Sequence, residues 1–188
     1  MDEQLAGHIE GLATLRPMMA GMGTVYAKFQ NVPRAILIDG VDIRNVTQHE
    51  LRKRIGFVPQ KSSLFSGTIE SNLRFGNENA PEELLYKAAE IAQATEFIEA
   101  KPEKMDAEIS QGGTNVSGGQ KQRLSIARAL VKQAPINIFD DSFSALDFKT
   151  DAALRQALKQ QAVPGTLLLV TQRVASIMNA DQIIVLDE

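Results

Sequence analysis

A serine and two glycines open the helix predicted over residues 117–133. At a helix start, free backbone N–H groups and the positive end of the helix dipole attract anions. Gly118 and Gly119 would let a phosphate group approach the backbone closely, and the hydroxyl of Ser117 adds a hydrogen-bond donor. The alternative is that Ser117 is an ordinary N-cap that follows a flexible loop. The segment by itself therefore indicates either a phosphate-binding helix start or a simple cap.

Two adjacent carboxylates, Asp140 and Asp141, follow the apolar strand predicted over residues 136–139. Because ligands of parallel α/β sheets bind outside the carboxyl ends of the strands, these two side chains could face a ligand. The alternative is that Asp141 or Ser142 caps the segment that follows. The residues alone leave both interpretations open.

Two glutamines also follow predicted strands. Gln60 comes after the apolar run 55–58 and Pro59, and Gln172 follows the run 166–170 by two positions. A glutamine in such a place can be no more than a polar residue that ends a strand. That plain interpretation stays open for both residues when each is considered alone.

Alternating strands and helices are expected to position these residues. Short apolar runs predict strands, and apolar residues at helical spacing predict helices. The predicted strands cover residues 35–40, closed by an Asp-Gly turn, and residues 55–58, 136–139, 166–170 and 183–186. The predicted helices cover residues 47–54, 68–75, 81–100, 117–133, 148–161 and 174–179. Because the strands are apolar on both faces and alternate with helices, the predicted fold is α/β, with a parallel sheet flanked by helices.

Residues 1–34 do not follow this alternation. Leu5, Ile9, Leu12 and Leu15 lie at helical spacing, and a stretch rich in methionine, glycine and alanine follows them. That spacing predicts a weak helix, because Gly7 and Gly11 would each cost it roughly 1 kcal/mol. We expect a helix and a loop there rather than a binding site.

Composition narrows the classes of function. The chain has 188 residues, a net charge of −3 and no cysteine, which excludes a disulfide framework and thiolate metal sites. His8 and His49 are far apart in the sequence, so a histidine-based metal site is not expected. No apolar stretch reaches the roughly 18 to 20 residues that span a bilayer, so we expect no direct membrane insertion. The absence of an overall positive charge argues against nucleic acid as a partner.

The longer string over residues 115–130 closely resembles the signature motif of ABC-type ATPases and the helix that follows it. Other segments agree with that family. Residues 57–60 (Phe-Val-Pro-Gln) resemble its Q-loop, residues 136–141 its Walker B strand, and residues 144–147 (Ser-Ala-Leu-Asp) its D-loop. Residues 66–73 continue the Q-loop resemblance in the form typical of exporters.

The resemblance implies a partial P-loop NTPase core of the ABC ATPase type, with a parallel sheet flanked by helices and an α-helical signature subdomain at about residues 61–133. It covers residues 35–188, which would form a partial ABC ATP-binding domain. Residues 1–34 would then be a divergent segment that replaces the Walker A region. The implied cofactors are ATP and Mg²⁺.

The same resemblance implies a role for each candidate residue. Asp140 would hold the Mg²⁺ of MgATP through water, and Gln60 would sense that ion and the γ-phosphate. Asp141 takes the place of a glutamate that polarises the attacking water, and Gln172 takes the place of a histidine that contacts the γ-phosphate. The residues of the signature and the D-loop that would contact a nucleotide are Ser117, Gly118, Gly119, Gln120 and Asp147.

Three departures from the family pattern bear on activity. The sequence contains no Gly-x-x-x-x-Gly-Lys-[Ser/Thr] phosphate-binding loop. Residues 21–24 (Gly-Met-Gly-Thr) resemble it only weakly and contain no lysine. Asp141 is shorter than glutamate by roughly 1.5 Å of reach, and a misplaced base can cost on the order of 100-fold in rate. Gln172 cannot exchange a proton as histidine can. The last two departures together resemble the degenerate subunit of heterodimeric ABC exporters.

We therefore expect the ATP-binding and ATPase module of an ABC exporter, which couples ATP binding and hydrolysis to transmembrane transport. Its partners would be a second ABC nucleotide-binding domain, in a heterodimer, and a transmembrane permease domain contacted through residues 108–113. The module would lie at the cytoplasmic face of the cell membrane through that permease, and the isolated chain would be soluble in the cytoplasm. Its signature would serve ATP held by the second domain.

The chain alone is expected to be inactive, as a gene fragment or an internally deleted derivative. One alternative is a catalytically inactive fragment that acts at most as an interaction module. Another is an ABC ATPase outside transport, such as one in DNA repair or translation. The exporter-like run over residues 57–73 and the absence of a basic nucleic-acid surface count against that last alternative.

Overall fold

The computed structural model describes residues 14–15, 25–28, 35–160 and 165–185. The strands in these ranges are β1 (Thr14–Leu15), β2 (Val25–Lys28), β3 (Ala35–Ile38), β4 (Val41–Asp42), β5 (Ile55–Val58), β6 (Gly67–Thr68), β7 (Glu108–Ile109), β8 (Ile136–Asp140) and β9 (Thr166–Val170). The α-helices are α1 (Gln48–Lys53), α2 (Ile69–Arg74), α3 (Glu82–Ile91), α4 (Thr95–Glu99), α5 (Gly118–Val131), α6 (Phe148–Gln160) and α7 (Val174–Ile177). Short 3₁₀ turns occupy Ile43–Asn45, Lys104–Asp106 and Gln111–Gly113.

A parallel sheet in the order β5-β8-β9 lies where the alternating pattern predicts it. The central strand β8 is in register with β5 up to the pair Val58↔Phe139, and with β9 up to the pair Asp140↔Val170. Because the three strands run in the same direction, their carboxyl ends lie at one edge of the sheet. That edge carries the candidate carboxylates.

A hydrophobic cluster joins the parallel sheet to the helices around it. Phe139 of β8, Ile126 of α5 and Leu154 of α6 are almost fully buried in this cluster. The two helices contribute to it because apolar residues recur along one side of each helix at a spacing of three or four. The predicted α/β layering, a parallel sheet flanked by helices, is thereby confirmed.

An antiparallel sheet in the order β1-β2-β3-β4 precedes the parallel one. The predicted turn joins β3 to β4, and its residues Asp39 and Gly40 have φ values of 52° and 79°, as a tight two-residue hairpin requires. The predicted helix at the N-terminal segment is wrong at Leu15, which pairs with Val25 in this sheet. Strand pairing overrides helical spacing there. The other residues of that prediction, and residues 21–24, lie outside the described ranges.

The single helix predicted over residues 81–100 is two helices, α3 and α4. Between them, Gln93 adopts a left-handed backbone with φ of 58°. The N–H of Ala94 donates to the carbonyl oxygen of Ala89 at 2.7 Å, and that of Gln93 donates to Glu90 at 2.9 Å. These two hydrogen bonds form a Schellman motif, which ends a helix. The sequence carries no glycine there to signal the end.

The helices α2, α3 and α5 pack against one another. Leu73, Leu85 and Leu124, one from each helix, are at most 1% exposed. At the start of α2, the hydroxyl of Thr68 accepts from the N–H of Ser71 at 3.0 Å, and the hydroxyl of Ser71 accepts from the N–H of Thr68 at 2.9 Å. This reciprocal cap satisfies two N–H groups that the helix leaves free.

Two predictions near the C-terminus are corrected. The helix predicted over residues 174–179 is a single turn, α7. Residues 183–185 form no strand, and their side chains are 42%, 46% and 82% exposed. A strand needs a neighbour to complete its backbone hydrogen bonds, and within the described ranges no strand pairs with these three residues.

The other predicted helices lie within two residues of their expected bounds. Differences of that size are normal at helix ends, which fray. In the part of the chain that the structure describes, none of the helices is long and apolar enough to cross a bilayer.

Candidate functional site

Several predicted site residues lie together at the carboxyl edge of the parallel sheet. Gln60 follows β5, Asp140 ends β8, Asp141 comes next, and Gln172 follows β9. The side-chain Nε2 of Gln60 donates a long hydrogen bond of 3.5 Å to Oδ2 of Asp141. The N–H of Asp141 donates to the carbonyl oxygen of Val170 at 2.8 Å, which ties this residue to the end of β9. The arrangement is that of ligand-facing side chains in a parallel sheet.

Asp141 has a left-handed backbone, with φ of 42°. Such a conformation costs a non-glycine residue roughly 1–2 kcal/mol, and neighbouring hydrogen bonds hold it. The N–H and the hydroxyl of Ser144 both donate to the carbonyl oxygen of Asp141, at 3.2 and 2.8 Å. The hydroxyl of Ser142 donates to the carbonyl oxygen of Val58 at 3.2 Å. Neither Asp141 nor Ser142 is a helix cap, so the capping alternative is wrong for these two residues.

The helix α6 is capped by Asp147 instead. Its carboxylate accepts from the backbone N–H of Thr150 at 2.9 Å and from the Thr150 hydroxyl at 2.7 Å. These hydrogen bonds hold the pKa of the Asp147 carboxyl below its ordinary value. The residue stays exposed, so a helix cap and a contact with a second domain are compatible roles.

The start of α5 is built as a capping box. The hydroxyl of Ser117 accepts from the N–H of Gln120 at 3.2 Å, and Oε1 of Gln120 accepts from the N–H of Ser117 at 3.0 Å. The capping alternative is therefore correct for Ser117. It leaves the phosphate interpretation intact, because the hydroxyl keeps its own hydrogen as a donor. Beside it, a Cβ atom at Gly118 would have nothing within 4 Å, so a ligand has room at this helix start.

The loop over residues 141–147, which includes the D-loop, lies next to this helix start. A Cβ atom at Gly119 would stand 3.4 Å from the carbonyl oxygen of Ala145. The same loop begins at Asp141 and ends at the cap Asp147. It therefore connects the carboxylate at the sheet edge with the signature segment.

Two polar residues that the sequence interpretation did not single out, Arg128 and Asn72, hold the chain downstream of Gln60. The guanidinium of Arg128 donates to the carbonyl oxygen of Ser63 at 2.9 Å and stands 5.0 Å above the Phe65 ring. The amide of Asn72 exchanges two hydrogen bonds of 2.9 Å with the backbone of Phe65. Burial lowers the pKa of the Arg128 guanidinium. An arginine inside the apolar stretch 124–131 of the predicted helix was the available signal.

Asn115, the first residue of the signature string, closes the loop before α5. Its side chain accepts from the N–H of Ser110 at 2.9 Å and donates to the carbonyl oxygen of Glu108 at 2.8 Å. Within that loop, Gly112 and Gly113 have φ values of 69° and 66°, a region that favours glycine. The segment expected to contact a permease is thus a closed turn with a defined shape.

A partly buried cation lies in α5 just after the signature segment. The guanidinium of Arg123 stands 4.8 Å from the centroid of the Phe97 ring and donates to the carbonyl oxygen of Gln93 at 2.8 Å. Burial lowers the pKa of this guanidinium, while the charges of Asp147 and Glu96 act in the opposite direction. The residue adds positive charge close to a helix start that would bind an anion.

The residues present fit a nucleotide with Mg²⁺. Asp140 and Gln60 offer side-chain oxygen atoms, the ligand type that Mg²⁺ prefers. Among the described residues, no three or more histidine, cysteine or acidic side chains form a metal-binding group. Mg²⁺ is compatible with that, because it commonly takes one or two protein ligands together with phosphate oxygens and water. Asp140 and Gln60 would hold the ion, and residues 117–120 would meet phosphate.

Comparison with known proteins points to one family. The family model described as ABC transporter matches residues 22–144. A bacterial Atm1-family ABC exporter, solved with ATP bound, superposes with a TM-score of 0.78 at 40% sequence identity. That superposition covers 82% of this chain and 27% of the exporter chain.

Curated relatives are similar along most of the chain. The uncharacterized ABC transporter ATP-binding protein YfiB of Bacillus subtilis is 41% identical over 95% of this chain and 32% of its own length. The β-(1→2)glucan export ATP-binding/permease protein NdvA of Agrobacterium vitis is 37% identical over 94% of this chain and 31% of its own. The ATP-dependent lipid A-core flippase of Desulfotalea psychrophila is 38% identical, over 97% and 34%. The chain thus spans about a third of the length of these relatives.

The family match and the structure agree. The match covers more than half of the chain. The described residues include the parallel sheet, with Asp140 at its carboxyl edge, and the helix α5, which begins directly after Ser117. The chain therefore belongs to the ABC transporter family and has the P-loop NTPase fold of that family's ATP-binding domain.

Proposed function

We propose that this chain is the ATP-binding part of an ABC exporter, and that residues 117–120 complete an ATP site held by a second nucleotide-binding domain. The observation that carries this proposal is the start of α5, where Ser117 and Gly118 are exposed and nothing lies within 4 Å of the Cβ position of Gly118. Backbone N–H groups and the helix dipole favour an anion there. No acidic residue lies in the first turn of α5 to oppose it.

The exporter assignment is supported by the named functions of relatives. NdvA is named as an export protein with ATP-binding and permease parts, and the lipid A-core flippase as ATP-dependent. By analogy, this chain would work with a permease at the cytoplasmic face of a membrane. The loop that Asn115 closes, over residues 108–113, would contact the permease, which would also choose the transported substrate.

The chemistry at the two proposed sites follows from the side chains. When bound, Mg²⁺ neutralises charge on the β- and γ-phosphates. Asp140, with Gln60 beside it, would hold such an ion through water at the carboxyl edge of this chain's own sheet. The Ser117 hydroxyl and the free N–H groups of α5 would donate to phosphate oxygens of the second domain's ATP, where negative charge develops during hydrolysis.

The carboxyl edge of this chain would itself be a weak catalytic site. A general base has to lie within hydrogen-bond reach of the water that it activates. The Asp141 side chain is shorter than that of glutamate, and its carboxylate already accepts a hydrogen bond from Gln60. Gln172 is exposed and can form hydrogen bonds, but it cannot move a proton at neutral pH. A weak site together with a complete signature supports the role of the degenerate subunit in a heterodimer.

The decisive experiment mixes the full chain with an intact nucleotide-binding domain and measures ATP turnover. Ser117→Arg places a bulky side chain in the proposed phosphate position, and we expect the turnover that depends on this chain to fall on the order of 100-fold. Thr114→Arg is the matched control, because it adds the same charge at an exposed position just outside the signature. That control is expected to leave turnover unchanged.

Equal turnover with Ser117→Arg and Thr114→Arg would contradict the proposal. If binding to the second domain persists while the mixture shows no turnover that depends on this chain, the alternative of an inactive interaction module holds. Size-exclusion chromatography of the same mixtures measures that binding directly.

A further inference from the structure

Arg173 joins the chain after β9 to the loop over residues 141–147. Its guanidinium donates to the carbonyl oxygens of Phe143 at 3.1 Å, Ser144 at 2.8 Å and Leu146 at 3.2 Å. It also lies over the ring of Phe148, 5.5 Å from the centroid. An arginine can contact several carbonyl groups at once because it presents five N–H donors in a rigid planar fork, which lysine lacks.

The loop held by Arg173 has no helix or strand of its own between β8 and α6. Its shape therefore depends on turns and on side-chain contacts. Inside the loop, the N–H of Ser144 donates to Asp141 at 3.2 Å, and the N–H of Leu146 donates to Phe143 at 3.1 Å. The carbonyl groups of such a segment need hydrogen-bond donors if the segment is to stay folded. Arg173 donates three hydrogen bonds to them from one side chain.

Hydrogen bonds to α6 hold the backbone segment that contains Arg173 in place. Arg155 of α6 donates to the carbonyl oxygen of Ala175 at 2.8 Å and forms an ion pair of 3.0 Å with Asp151, whose side chain is 3% exposed. The hydroxyl of Ser176 donates to the same carboxylate at 3.4 Å. The segment after β9 is thus packed on α6, and these contacts fix the backbone position from which the Arg173 guanidinium contacts the loop.

We propose that Arg173 is a positioning residue, which holds the loop over residues 141–147 so that Asp141 faces Gln60 and Ala145 faces the start of α5. Gln172 directly precedes Arg173, so a movement of that strand end on nucleotide binding would be passed to the loop. The consequence for ATP turnover rests on the proposed function. The consequence for the loop itself does not.

Amide hydrogen exchange on the full chain tests this role. The variants are Arg173→Ala and Arg173→Lys, and the matched control is Arg52→Ala, whose guanidinium donates to Gln48 on the exposed helix α1. We expect the amides of Ser144 and Leu146 to exchange about tenfold faster in Arg173→Ala, because the loop opens more easily. Arg173→Lys should show a smaller increase, since one ammonium group cannot span three carbonyl oxygens, and Arg52→Ala should show none.

Unchanged exchange of the loop amides in both Arg173 variants would overturn the proposal. If Arg173→Ala fails to fold, which faster exchange throughout α3 would reveal, Arg173→Lys decides. In that variant, faster exchange of the loop amides with unchanged α3 supports the role, and no difference from the wild type overturns it.

The turnover of the mixture with an intact domain gives an independent reading. Arg173→Lys is expected to lower kcat and to leave the KM for ATP unchanged, because the second domain holds the nucleotide. A rise in KM with kcat unchanged would contradict the positioning role. If Ser117→Arg has no effect while the loop amides exchange faster in the Arg173 variants, the proposed function fails and the structural role of Arg173 stands.

Discussion

At the scale of single residues, helix caps and candidate ligand contacts coincide. Ser117 caps α5 and still offers its hydroxyl hydrogen, and Asp147 caps α6 while staying exposed. A cap occupies one or two of the free N–H groups of a helix start and leaves the others available. Structural and ligand-binding interpretations of such residues are therefore not exclusive.

The cap at Asp147 leads to a prediction on pH. Hydrogen bonds from the Thr150 backbone and hydroxyl lower the pKa of Asp147 in the folded chain. The ionised Asp147 carboxylate therefore stabilises the fold fully at a pH above the carboxyl pKa of the unfolded chain. This stabilisation is lost as the pH falls through the lower pKa that Asp147 has in the folded chain. Asp147→Asn does not titrate, so its Tm should fall less steeply than that of the wild type on acidification.

Thermal unfolding followed by circular dichroism, from about pH 7 to about pH 2, measures this difference across the carboxyl range. Asp106→Asn, which removes one carboxylate at another exposed position, is the control. Parallel curves for the wild type and Asp147→Asn would show that the cap does not couple to pH.

At the scale of elements, α5 organises the site. Its start carries the signature, its middle holds the chain after Gln60 through Arg128, and its side packs on α2 and α3. The approach of α2 to α5 is close at Gly76, where a Cβ atom would clash with the carbonyl oxygen of Arg128. The close packing of these two backbone segments therefore requires a residue without a side chain at position 76.

We predict that Gly76→Ala lowers the free energy of unfolding by about 1–3 kcal/mol, because the added methyl group forces two backbone segments apart. Gly118→Ala is the matched control, since nothing lies within 4 Å of its Cβ position. Alanine also favours a helix over glycine, so this control should be neutral or slightly stabilising. Urea unfolding measures both, and equal midpoints for the two variants would contradict the packing argument.

At the scale of the whole molecule, the sheet order β5-β8-β9 brings together strand ends that are far apart in the sequence. The chain spans about a third of its curated relatives, so its work with a permease and a second domain remains a proposal. The same holds for the division into residues 1–34 and 35–188 and for a helical subdomain at about residues 61–133.

The sequence contains no Gly-x-x-x-x-Gly-Lys-[Ser/Thr] string, and we propose that the isolated chain has no phosphate-binding loop of its own. That loop normally supplies the N–H groups and the lysine that neutralise the phosphates. Without it, we expect MgATP to bind no more tightly than about the millimolar range, which corresponds to roughly 4 kcal/mol. Isothermal titration calorimetry measures this, with an intact nucleotide-binding domain as the control. Micromolar binding would show that the chain holds ATP by itself.

The sequence determined the family and most of the elements, because the signature string, the Walker B strand and the apolar periodicity are local patterns. It also placed Gln60, Asp140, Asp141 and Gln172 at strand ends, and the structure confirms those positions. Where the predicted elements were wrong, as at residues 81–100 and 183–185, the outcome depended on a left-handed residue or on strand pairing. Neither leaves a clear local signal.

Only the tertiary structure decided which residues act on one another. The hydrogen bond between Gln60 and Asp141 spans 81 positions, and the contacts of Arg173 with Phe143, Ser144 and Leu146 span about 30. Local spacing cannot specify such pairs, because they exist only once parallel strands and their helices have packed. The sequence named the parts of an ATP-binding domain, and the packing of the sheet and helices determined which parts contact the loop between the carboxyl edge of the sheet and the signature segment.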